Sequence, residues 1–391
     1  MADLALFSLI LVALAIGYFA GRAEKKRRRP PSDASSLSSE YFVGLNYLLN
    51  EQTDEAIESF IRALEINSDT VETFVVLGRL FRQRGEIEKA IQAHQDLLAR
   101  PSLTREQTLD VQLELAHDYQ KAGLLDRAET LLEDIVQKNW KSWKEAFNTL
   151  LSIYEVEKEW QKAIVLVGKL KGSAADEYSF RLSHYHCELA EQALNNSDLL
   201  QARKSLRLAG NVSKSNARVS LLQGALEIKA GNYRDAIRCL ERIADQDQGF
   251  VPESITMLEQ CYGEMRSRRG LTSYLGRCLR ERPTSAVVMA SARLISDQQG
   301  EKEAGRFMAE QIIKRPSLKG LNALIDMHLH LTEGRARQNL MLLRDLTGRL
   351  AASKPVYQCG QCGFTGKELH WNCPKCHEWG AISPILGLEG E

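Results

Sequence analysis

The chain has 391 residues, more than a single hydrophobic core usually spans, so several domains or a repeat array is expected. Lys+Arg and Asp+Glu each total 51, giving a formal net charge of zero, which argues against a globally basic nucleic-acid binder. Hydrophobic residues make up 44% and aromatic residues only 7%, the balance of an all-α protein built on Leu and Ala rather than on aromatic strands.

Residues 4–20 (LALFSLILVALAIGYFA) carry no charge. As a helix they would run about 25 Å, near the lower limit for crossing a bilayer. Arg22, Lys25, Lys26, Arg27, Arg28 and Arg29 follow, opposed only by Glu24. Basic flanks stay on the cytoplasmic side, so the expectation is a single-pass N-terminal transmembrane helix with the bulk of the chain in the cytoplasm. A cleaved signal peptide would need a positive n-region, and none precedes the apolar run. A buried core helix would show a polar face, whereas only Ser8 interrupts this run. The basic block reads better as a topology determinant touching anionic lipid heads than as a nucleic-acid-binding arm. The Ser- and Pro-rich stretch 30–39 then reads as a flexible linker. The expected organisation is an anchor over 1–21, a basic flank and linker over 22–36, a helical array over 37–352 and a metal-binding module over 353–391.

A set of slots recurs with a period near 34. Gly44, Tyr47, Ala56, Phe60 and Ala63 shift onto Gly78, Phe81, Ala90, His94 and Leu97, then onto Ala116, Tyr119, Ala128, Leu132 and Ile135. Weaker copies hold Leu151, Tyr154, Ala163, Val167 and Leu170, then Ala190, Ala193, Ala202, Leu206 and Ala209. Gly224, Glu227, Ala236, Leu240 and Ile243 form a sixth, with Glu227 in an aromatic slot. Further pairs are expected around Tyr262, Leu271 and Leu275, around Ala292, Ala304 and Met308, and, irregularly, around Leu324, Ala336 and Leu340. Two antiparallel helices approach closely only where small residues meet, and large residues one turn away fill the space beside them. Gly85, Gly123 and Gly231 share the slot between the two helices, where a positive φ ends a helix. These residues resemble the tetratricopeptide repeat. The resemblance implies eight or nine helical pairs in a right-handed superhelix, whose first helices (41–49, 72–80 and 112–119 among them) offer a partner-binding face.

Cys187, Cys239, Cys261 and Cys278 lie on apparent helices and read as small core residues. No phosphate-binding, zinc-protease or nucleophile-elbow motif is present. His184 with His186, and His328 with His330, stand two apart and so point to different sides of a helix, a poor metal pair that reads as surface or partner-bonded. The expectation is a binding protein and not an enzyme.

The helical pattern stops at Lys354-Pro355. Cys359-x2-Cys362 and Cys373-x2-Cys376 follow, ten residues apart. Each pair places two thiolates around one turn, and two such knuckles complete a tetrahedral four-sulfur site for one zinc or iron ion. A disulfide pair or a redox-active CxxC is the alternative. Gly360 and Gly363 are expected to let the backbone turn back toward the sulfurs. His370 and His377 flank the knuckles as alternative ligands, although four sulfurs already fill the sphere. So short a segment cannot bury a sufficient core alone, which favours a structural metal. Trp371, Trp379 and Phe364 are expected to cover the metal and dock it onto the last helices. The segment has no basic excess, which argues against nucleic acid. Tyr357-x-Cys-x-x-Cys-Gly-Phe resembles the first knuckle of a rubredoxin-type zinc ribbon.

The order of anchor, repeats and ribbon, with Gly21-Arg22, the run 77–94, Glu159-Trp160-Gln161-Lys162-Ala163-Ile164, the SKP at 353–355 and the CGFT at 362–365, resembles the lipopolysaccharide assembly protein B family. The resemblance implies an inner-membrane adaptor that promotes proteolysis of LpxC, the deacetylase committing lipid A synthesis, by the membrane protease FtsH. It further implies restraint by an inner-membrane protein that senses lipopolysaccharide. A scaffold gathering lipopolysaccharide synthesis and transport proteins, without delivering a protease substrate, is the alternative. The sequence leaves a homo-oligomer open.

Overall fold

In the computed structural model, residues 39–66, 71–138 and 142–388 are described. The apolar segment 4–20, the basic block and most of the linker lie outside the described residues. Among the described residues no helix is long and apolar enough to cross a membrane. Two compact units divide the chain, Met1–Ile153 and Tyr154–Glu391.

The N-terminal unit contains α1 (Ser39–Leu49), α2 (Thr53–Ile66), α3 (Val71–Arg84), α4 (Ile87–Leu98), α5 (Arg105–Lys121), α6 (Leu125–Gln137) and most of α7 (Trp143–Val156). The C-terminal unit takes the last turn of α7, then α8 (Trp160–Gly168), α9 (Ser173–Asn195), α10 (Leu199–Val212), α11 (Ala217–Lys229), α12 (Tyr233–Glu241) and the single turn α13 (Ile243–Gln246). It continues through a 3-10 turn at Gln248–Phe250 to α14 (Val251–Glu264), α15 (Arg268–Glu281), α16 (Ser285–Gln299), α17 (Glu301–Lys314), α18 (Leu318–Leu331) and α19 (Gly334–Ser353). Three short strands, β1 (Tyr357–Cys359), β2 (Thr365–Gly366) and β3 (Ile382–Pro384), close the chain as an antiparallel sheet in the order β2-β1-β3.

The repeat slots are core. Ala56, Ala90, Ala128, Ala163, Ala202, Ala236 and Ala304 are all fully buried, so these seven second helices approach their partners at the same small residue. Gly224 shows how close that approach is: a Cβ there would stand 2.4 Å from Leu240 Cδ2. His94 occupies an aromatic slot, and its buried Nδ1 lies 2.5 Å from Oδ2 of Asp118, which also accepts from Arg82 at 2.6 Å. Glu227 replaces an aromatic because Arg203 of α10 and Asn232 both donate to it. The last expected copy departs from the pattern, since Ala336 is exposed.

The turn within the first seven pairs is built the same way whether or not glycine is present. Gly85, Gly123 and Gly231 have positive φ, and the next residue donates to the carbonyl five positions back, as Glu86 does to Phe81 at 2.8 Å. Glu51, Lys158, Ser197 and Arg266 adopt the same left-handed conformation, each followed by the same 2.8–2.9 Å bond. Each non-glycine costs about 1 kcal/mol there, which the cooperative stacking of the pair offsets.

Candidate metal centre

The first knuckle hangs from β1. Cys359 N–H donates to the Phe364 carbonyl at 2.7 Å and Gly363 N–H to the Cys359 carbonyl at 3.1 Å, folding Cys362 back over Cys359. Gly363 has φ +71, as a chain reversing there requires. Gly360 does not take such a conformation: its N–H pairs with the Ala381 carbonyl at 2.8 Å, and a Cβ would make only ordinary contact. The second knuckle repeats the first. His377 N–H donates to the Cys373 carbonyl at 2.8 Å, and His377, with φ +57, stands where Gly363 stands in the first. Its role is thus that of a turn residue. Neither His370 nor His377 belongs to the cluster of ligand atoms, which consists of Cys359, Cys362, Cys373 and Cys376.

The four sulfurs lie within 4.8 Å of one another. Cys359 Sγ to Cys376 Sγ is 3.7 Å and Cys362 Sγ to Cys373 Sγ is 3.6 Å. A tetrahedron with metal–sulfur bonds of about 2.3 Å has edges of about 3.8 Å. A disulfide would bring two sulfurs to about 2.05 Å, so the arrangement fits an ion and not a bond. Cys359 and Cys373 are buried, with Ile382, Tyr357, Phe364 and Leu369 packed around the sulfurs. The backbone N–H groups of Cys362 and Gln361 pull the Cys359 thiol down to about 7, toward the thiolate that binds metal.

The ribbon is seated on the helices by its two tryptophans, and not where the sequence suggested. Phe364 stays beside the sulfurs, as expected. Trp371 and Trp379, however, dock onto the middle helices α8, α9 and α11 and the turn before α14, not onto the last ones. Trp379 is 3% exposed, and its indole N–H donates to Oε1 of Glu155, at the end of α7, at 2.8 Å. Its ring meets Trp160 edge-on at 5.9 Å, Tyr185 at 5.7 Å and His184 at 5.1 Å. Trp371 stacks on Phe250 at 5.0 Å and faces the guanidinium of Arg218 at 5.6 Å. Tyr357 donates to Glu253 at 2.6 Å. Gly380, with φ +65, lets the ribbon backbone close on α9, where a Cβ would stand 2.6 Å from Phe180.

The physical reason is a set of buried charged groups on these helices, which α16–α19 do not carry among the described residues. Glu155 is 8% exposed and holds Trp379, Tyr185 and Arg181. Arg218 is 2% exposed, bonded to Glu188 at 2.7 Å and Glu191 at 3.0 Å, with His184 alongside. Sequence reasoning passed over Glu155 and Arg218 and read His184 as a surface or partner-bonded residue. The available signal was a charged residue on an otherwise apolar helix stretch. The scattered cysteines fared as expected: Cys187, Cys261 and Cys278 are buried, and Cys239 is half-buried.

Burial, and secondarily the charge of Arg218, push His184 down from 6.5 to about 3. Between those values the unfolded chain binds a proton that the folded chain does not. His184 therefore contributes stability that is intact above pH 6.5 and is lost as pH falls toward 3. In that window the C-terminal unit should lose about 1.4 kcal/mol per pH unit from this residue. His184→Gln removes that share, so urea midpoints of the variant should fall less steeply with acid than those of the parent. Parallel slopes would show that the ring is not held neutral.

A sequence profile for the rubredoxin metal binding domain matches residues 357–384, and one for the tetratricopeptide repeat matches residues 41–70. Lipopolysaccharide assembly protein B of Escherichia coli strain K12 is 36% identical over 386 residues, which cover 98% of this chain and 99% of that protein. The protein of the same name from Haemophilus influenzae Rd is 32% identical, covering 98% of each. Among solved structures, the TPR2AB domain of yeast Sti1 aligns with 68% of this chain and 95% of its own, at 16% identity and a TM-score of 0.33. The chain belongs to the lipopolysaccharide assembly protein B family.

Proposed function

We propose that this chain is a non-enzymatic adaptor of lipopolysaccharide synthesis, anchored in the inner membrane by residues 4–20 with its bulk in the cytoplasm. It presents the deacetylase LpxC to the membrane protease FtsH, and an inner-membrane protein that senses lipopolysaccharide restrains it. The observation that carries this reading is the identity of 36% over nearly the whole chain to a relative named for lipopolysaccharide assembly. The metal centre supports it as well. Four protein sulfurs leave no open position for substrate, the mark of a structural ion, for which zinc or iron suits the donor set. The first helices of the N-terminal unit supply a place for a protein segment: a depression of about 440 Å³ lined by Tyr41, Glu72, Val76, Arg79, Asp110 and Glu114. An anchor confines that surface to the membrane plane and so raises its effective concentration toward membrane partners.

The test is reconstitution. With FtsH and the full chain in the same vesicles, LpxC should be degraded faster than with FtsH alone at equal protease. An unchanged rate, with the chain still retaining lipopolysaccharide-synthesis proteins on purification, would favour a scaffold.

A further inference from the structure

The last helix, α19, is unlike every other long helix described. None of its twenty residues is buried. Thr347 and Arg344 bond Asn322 and Asp326 of α18, on the side where Leu340 and Ala351 are half-buried, and the far side carries Leu342, Leu346 and Leu350 one helical turn apart, with Leu343 beside them. These four are 59%, 45%, 54% and 50% exposed. A repeat array ordinarily ends on a polar outer face, because the last helix has no successor to cover it. Here the outer face is a leucine stripe.

The charges of the same helix indicate what covers it. Arg335, Arg337, Arg344 and Arg349 stand against a single acid, Asp345. Arg344 pairs with Asp326 and Arg349 with Asp345, but every member of these pairs is well exposed, so the pairs are weak and exchange readily with other anions. A second copy of the helix is a poor occupant, since it would bring four arginines against four. An anionic bilayer surface matches both features: the leucines enter the acyl boundary, and Arg335 and Arg349, which the helical period places beside the stripe, meet the headgroup phosphates. We propose that α19 lies in the plane of the membrane as a second, reversible contact on an anionic phospholipid surface. This rests on the anchored reading above, which confines the chain to the membrane and so raises its effective concentration at the bilayer, letting a modest intrinsic affinity suffice.

The experiment uses the full chain with a photo-crosslinking residue in place of Leu346, reconstituted in phosphatidylcholine vesicles with or without phosphatidylglycerol. Flotation reports the anchor, and mass spectrometry of the α19 peptide reports the contact. The expected result is a phospholipid adduct at position 346 with phosphatidylglycerol present, reduced several-fold in phosphatidylcholine alone and by Arg335→Glu with Arg349→Glu. A chain that floats but gives no lipid adduct, or one cross-linked to a second copy, overturns the proposal while the anchor stands. A chain that does not float refutes the anchor, and this proposal with it.

Discussion

Replacing Cys359 and Cys373 together by serine should abolish metal binding and unfold the ribbon while leaving the helical pairs intact. These are the two buried sulfurs of the cluster. The matched segment, 357–384, is far too short to bury a self-sufficient core. Its strands are two or three residues long. Structural zinc sites in modules of this size contribute about 10–16 kcal/mol at neutral pH, more than the ribbon's own packing could replace. The parent chain should carry one ion and the variant none by elemental analysis. Amide hydrogen exchange should accelerate throughout the ribbon and stay unchanged in α1–α6. A variant that keeps slow exchange at Cys362 and Ile382 would show that the ion is dispensable to the fold.

Trp379→Ala should release the ribbon from the helices without releasing its metal. The indole touches Trp160, Tyr185, His184 and Glu155 together. Truncating a buried tryptophan costs about 3–5 kcal/mol, and here it also strips one donor from the buried Glu155 carboxylate. Trp379→Phe keeps one six-membered ring but loses the fused five-membered ring with its N–H, so it should cost less than the alanine change, about 1–3 kcal/mol. The signature that separates docking from metal binding is stoichiometry: one ion per chain retained in both variants. Proteolysis after α19 should speed up strongly in the alanine variant and weakly in the phenylalanine variant. Loss of the ion from Trp379→Ala would mean that docking and metal binding are one event.

What was legible in the sequence was local. The knuckles were readable because a CxxC spacing fixes its own geometry within one turn, and the repeat because small residues recur wherever two helices must touch. The seat of the ribbon was not legible. The bond from Trp379 to Glu155 joins residues 224 positions apart, and nearness in the chain to the last helices suggested the wrong surface. Of the two readings of His184, surface or partner-bonded, the second holds, since Arg218 lies 3.4 Å from its Nδ1; its burial among the rings of Trp371, Trp379 and Phe180 joins distant parts of the chain and had no local signal. Three turn glycines were found at once, but Glu51, Lys158, Ser197 and Arg266 take the same left-handed turn without a sequence signal, because the bonds of the folded pair impose it. A histidine directly after Cys376 gave no hint that His377 serves as the counterpart of Gly363.

The most direct measurement is the half-life of LpxC in cells carrying the intact chain, no chain, or the Cys359→Ser, Cys362→Ser variant. An adaptor held together by its metal predicts a short half-life with the intact chain and an equally prolonged one in the other two. An unchanged half-life on removing the chain would contradict the adaptor reading, and a short half-life with the serine variant would contradict the need for the metal.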